Sequence, residues 1–124
     1  MEESERKLML KTLAERIRTE RRLWNNRLDR AIKGNVYEYN IEDLMRLVGT
    51  LEAAYNHALA AIKGDGDIYC ILKHLSYAVI LIGEMDEPDV ENIYDMMAML
   101  TGGKIEACAA CKREEEENDQ DNNE

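Results

Sequence analysis

The chain predicts an all-α fold, an antiparallel four-helix bundle of up-down-up-down order. Three observations predict it. The composition favours helix over sheet: of 124 residues one is proline and none is phenylalanine, while Leu, Ala, Met, Glu, Lys and Arg abound. Apolar residues recur at three- and four-residue steps through four segments. The connections between those segments are short, which favours antiparallel neighbours. A length of this order suits one domain. We assign residues 1–111 to the bundle and residues 112–124 to an acidic tail.

The first helix is expected over residues 4–33, with Ser4 as N-cap and Gly34 just past its end. Its buried stripe reads Leu10, Leu13, Ala14, Ile17, Trp24, Leu28, Ala31 and Ile32. Arg21 falls inside that stripe and is expected to snorkel or to pair with a neighbouring helix. At about 30 residues this helix would span roughly 45 Å, longer than its partners. Its start, with Leu8, Met9, Leu10 and Leu13, should overhang them and invite a second subunit, so a homo-oligomer, a dimer, is expected.

Residues 34–40 form a connection whose Val36, Tyr37 and Tyr39 can fold over one end of the bundle. Asn40 is placed to cap the second helix, with Asp43 three residues on. That helix is expected over 41–63, burying Leu44, Val48, Leu51, Tyr55, Ala58, Leu59 and Ile62. The run Gly64-Asp65-Gly66-Asp67 stops it and restarts the chain, with Asp67 as the next cap. A third helix follows over 68–82. Its apolar positions Ile68, Ile71, Leu72, Leu75, Ala78, Val79 and Ile82, widened by Ile80 and Leu81, make it the most buried. Residues 84–88 form a turn, with Asp86 or Glu87 capping a fourth helix and Pro88 in its first turn. This helix runs to about residue 100, with Val90, Ile93, Tyr94 and Met97 inward, and Gly102-Gly103 ends it. Residues 104–111 can form a short fifth helix. The tail beyond is almost wholly charged or amide, a composition that favours disorder.

The formal net charge is −10, and it is unevenly spread. Residues 1–33 carry ten Lys/Arg against six Asp/Glu; the rest of the chain is strongly acidic. An acidic total argues against a nucleic-acid binder that works through a general positive field and suits a basic protein partner. No apolar run approaches the roughly 18–20 residues of a membrane span. No signal-peptide pattern is visible, and three cysteines in such a chain suggest reduced thiols and a cytoplasmic setting.

Four constellations could carry chemistry. Cys70 and His74 stand one helical turn apart, and Cys108 and Cys111 form a Cys-x-x-Cys pair. The four could supply a closed, structural Cys3His zinc site; the competing reading is buried thiols without metal. The acids Glu84, Asp86, Glu87, Asp89, Glu91 and Asp95 contain no basic residue among them. They could hold Mg²⁺ and a substrate phosphate, although Glu91 and Asp95 depart from the spacing of helical nucleotide pyrophosphohydrolases. The plainer reading is a solvated face with favourable charge at a helix start. Helix 1 presents Arg16, Arg18, Arg22, Arg27 and Arg30 around Trp24. Such a face can meet nucleic-acid phosphates, but the interleaved acids and acidic remainder favour contact with helix 4. Finally, Met96 and Met99 point away from the inward stripe of helix 4, where methionines adapt to a partner. His57 is expected to be exposed.

These features lead to the expectation of a non-enzymatic helical protein-interaction module. It would be an adaptor or regulator, or an acidic inhibitor of a basic, nucleic-acid-binding protein. Small acidic helical inhibitors are carried by viruses and mobile elements, an analogy resting on charge and size. The surface offered would be Glu84, Asp86, Glu87, Asp89, Glu91, Asp95, Met96 and Met99. Two alternatives come from other classes: a metal-dependent nucleotide hydrolase using the helix 4 carboxylates, and a nucleic-acid-binding small subunit using helix 1. No cofactor is expected apart from the zinc weighed above.

Overall fold

A computed structural model describes residues 3–34, 39–65, 68–85, 87 and 90–102. Among them the chain is all-helical: α1 (Glu3–Ile32), α2 (Ile41–Ile62), α3 (Ile68–Glu84) and α4 (Glu91–Thr101), with no strand. α1 packs along α2, α2 along α3, α3 against α4, and α4 returns to α1, so the four enclose one core. No described helix is long and apolar enough to cross a membrane.

The helix ends follow from local chemistry. Asn40 caps α2 by accepting the Glu42 N–H on Oδ1 at 2.8 Å. Asp43 takes no part in that cap and faces Arg46 at 4.0 Å. At the other end the N–H of Gly64 donates to the Ala61 carbonyl and that of Asp65 to the Ala60 carbonyl. This is the Schellman arrangement, and it needs a left-handed residue between helix and loop; Gly64 supplies it at φ +90°. α1 already includes Ser4, so Ser4 is not its N-cap. α4 starts later than the sequence suggests. The Glu87 N–H donates to the Ile82 carbonyl at 3.2 Å, so Glu87 closes α3 and Val90 stands at the start of α4 without a side-chain cap.

The core joins Leu10, Leu13, Ile17 and Trp24 of α1 to Leu44, Leu47 and Leu51 of α2, Ile71, Leu75, Leu81 and Ile82 of α3, and Ile93, Met96 and Met97 of α4. α2 is turned relative to the expected stripe. Its fully buried residues include Ala54, Ala58 and Ala61, whereas Val48, Tyr55 and Ile62 sit at the margin and Leu59 is exposed. Small side chains let neighbouring helices approach closely, so the alanines take the centre and the larger residues flank it. On α3 the same closeness buries Ser76, while Ile80 remains exposed.

Three further expectations are corrected here. Leu10 and Leu13 are wholly buried within the chain's own core, so the first helix does not present them as an overhang; of that group Leu8 stays outside, at 67% exposure. Ile32, on the last turn of α1, is exposed rather than buried. Tyr94 is outward rather than inward. The expected fifth helix and acidic tail lie outside the described residues, as do Val36, Tyr37, Asp67 and Pro88.

Candidate functional site

The α1–α4 seam brings together two of the residues singled out by charge, Arg16 and Asp95. The N-terminal half of α1 and the outer edge of α4 border an open groove of ≈ 590 Å³ lined by Lys11, Glu15, Arg16, Glu20, Asn92 and Met96, among others. Its α1 wall exists because Thr12, Glu15, Arg16 and Thr19 fall on one side of the helix, next to the buried stripe. Thr12 and Thr19 donate their hydroxyls to the carbonyls of Leu8 and Glu15. Arg16 crosses the seam: its guanidinium lies 3.7 Å from the Asp95 carboxylate and donates to Met99 Sδ at 3.4 Å.

A denser knot lies further along α1. The indole N–H of Trp24 donates to Glu20 Oε1 at 3.2 Å, one turn back, and both side chains are buried. The Arg27 guanidinium stacks over the Trp24 ring at 4.4 Å and approaches Glu87 at 3.8 Å. Tyr39 completes the set: its ring meets Trp24 edge to face at 6.0 Å, and its hydroxyl donates to Glu87 Oε2 at 2.6 Å. Arg27 Nη1 is buried without a hydrogen bond of its own, so the ring faces and the carboxylate supply its stabilisation. Glu87 thereby joins the connection before α2, the turn after α3 and the C-terminal part of α1.

The sequence-predicted groups therefore separate. Of the basic face, Arg16 pairs with Asp95, Arg18 with Glu15 at 3.7 Å, and Arg27 with Glu87; Arg22 and Arg30 stand in solvent. Arg21 reaches Glu52 on α2 at 3.9 Å. Of the acidic group, Glu84, Glu91 and Asp95 are exposed and Glu87 is held in the knot; Asp86 and Asp89 lie outside the described residues. Met96 is wholly buried and is core rather than a partner-facing side chain, because its position on α4 falls between the buried Ile93 and Met97. Met99 is half-buried against Arg16.

Cys108 and Cys111 also lie outside the described residues. Among the described ones no group of three or more His, Cys, Asp or Glu converges. What α3 does bring together is different. His74 stacks on His57 of α2, with ring centroids 5.1 Å apart and planes 16° from parallel. His57 is thus half-buried in the α2–α3 seam rather than exposed. Burial, then the His57 and Lys73 charges, hold the His74 pKa below its ordinary 6.5. The sequence signal was present in part: His57 lies one residue before Ala58, at the edge of the small-residue stripe that lets α3 approach.

No protein family, curated protein or solved structure matches the chain.

Proposed function

We propose that this chain is a non-catalytic helical interaction module that offers its acidic α4 side to a basic protein. One observation carries the reading. The arginines of α1 nearest the other helices are turned onto the chain's own carboxylates, at Asp95, Glu52 and Glu87, while Glu84 and Glu91 face solvent with no ion pair among the described residues. These surface pairs offset part of the basic charge of α1, and Glu84 and Glu91 leave acidic charge exposed beside α4. Such a field speeds the encounter with a basic partner and repels nucleic acid. The engagement of Glu87 with Tyr39 and Arg27 speaks against its use as a metal ligand in a hydrolase.

In this reading the helices form an up-down-up-down array, the protein works in the cytoplasm, and it self-associates. Exposed apolar residues on the α1–α2 side, Ile32, Ile41 and Met45, support self-association in place of the buried start of α1. The experiment is affinity capture from the cells that make the protein, with elution by rising salt and identification by mass spectrometry. Basic proteins released steeply by salt, and lost in Glu84→Gln/Glu91→Gln/Asp95→Asn, support the reading. A captured set that the triple variant leaves unchanged contradicts it.

A further inference from the structure

We propose that His57 and His74 form a two-imidazole site for a late first-row divalent cation, Zn²⁺ in particular, bridging α2 and α3. A Zn–N bond of about 2.1 Å places the cation roughly 3.2 Å from the centroid of each ligating ring. Two centroids 5.1 Å apart then subtend an angle of about 105° at the metal, close to the tetrahedral value that zinc prefers. In the present arrangement the rings are nearly parallel, so they cannot both point a nitrogen at one cation. The site therefore requires a turn about χ2, a torsion that is soft for histidine and moves no helix.

Two further observations point to a ligand. Both imidazoles are half-buried, so the site has a wall of protein on one side and water on the other, which supplies the remaining coordination positions. Among the described residues no side chain hydrogen-bonds to either ring; their contact is with one another. Burial also favours the neutral, ligating form of His74. Cys70 stands one turn before His74 on α3 but does not converge with the pair, so it is left out of the ligand set.

The site joins two helices, so metal binding to it stabilises the fold. Full-length protein is titrated with ZnCl₂ by calorimetry, and its melting temperature is followed with and without Zn²⁺. The background is Cys108→Ser/Cys111→Ser, which removes the competing thiolates. One equivalent of Zn²⁺ should bind and raise the melting temperature. His57→Gln and His74→Gln should each weaken binding by about tenfold or more, the loss expected when two linked ligands become one, and remove the thermal shift. Cys70→Ser should keep both. Circular dichroism of each variant shows that the helices persist. The proposal is overturned if Zn²⁺ uptake survives in the His57→Gln/His74→Gln double variant. Absence of uptake in the Cys108→Ser/Cys111→Ser background overturns it equally.

Discussion

Trp24 ties a hydrogen bond, an aromatic contact and a cation–π contact together on α1. It is buried at 1% exposure, it donates to the buried Glu20, and it carries the Arg27 guanidinium on its face. Trp24→Ala should therefore cost roughly 3–5 kcal/mol of unfolding free energy, read by urea denaturation. A cost near zero would place the indole outside the core. The burial of Trp24 was legible from its place in the three- and four-residue pattern. The Tyr39–Glu87 hydrogen bond was not, because it joins residues 48 apart in sequence and nothing in local spacing encodes that meeting. The histidine pair gives a second residue-scale prediction. The folded pKa of His74 lies below its unfolded value of 6.5, so the unfolded chain takes up the proton more readily. Stability from this group is present above pH 6.5 and declines as pH falls below it. His74→Gln should flatten the fall in melting temperature between about pH 7.5 and 5. A curve that falls as steeply in the variant would assign the effect to other groups.

At the scale of the elements, the two glycines of α2 and its exit separate conformational strain from packing. Gly64 adopts φ +90°, and an added Cβ there meets nothing within 4 Å. Gly64→Ala should thus destabilise through the backbone alone, by about 1 kcal/mol. Gly49 lies within α2, exposed and with open space for a Cβ; Gly49→Ala should stabilise by about 0.5–1 kcal/mol. Thermal denaturation of the two variants gives opposite signs if the helix runs through Gly49 and ends at Gly64. These stop signals were readable directly, since Gly-Asp-Gly-Asp can do little else. The face of α2 was harder to read. Counting apolar residues weights Val48, Tyr55 and Leu59 above Ala54 and Ala61, whereas helix–helix packing rewards the smaller side chains with closer approach. The same effect brings His57 into the seam with His74. The beginning of α4 was misread for another reason: Glu87 suits an N-cap by residue type, but its backbone N–H is committed to closing α3.

At the scale of the whole molecule, the distribution of charge is the central feature. The basic first segment was visible in the composition of residues 1–33. That several of its arginines fold onto Asp95, Glu52 and Glu87 required the tertiary arrangement. The partly exposed pair Arg16–Asp95 contributes little stability by itself. Its consequence is electrostatic: Arg16 and Asp95 offset one another, and in the proposed reading the unpaired Glu84 and Glu91 beside α4 draw the basic partner. The measurement that tests this most directly is fluorescence anisotropy at low salt against two labelled probes, an Arg/Lys-rich peptide and a single-stranded oligonucleotide of equal charge number. The peptide should bind, with an affinity that falls steeply with salt and in Glu84→Gln/Glu91→Gln/Asp95→Asn, and the oligonucleotide should stay free. Binding of the oligonucleotide, weakened by Arg22→Ala/Arg30→Ala, would contradict it.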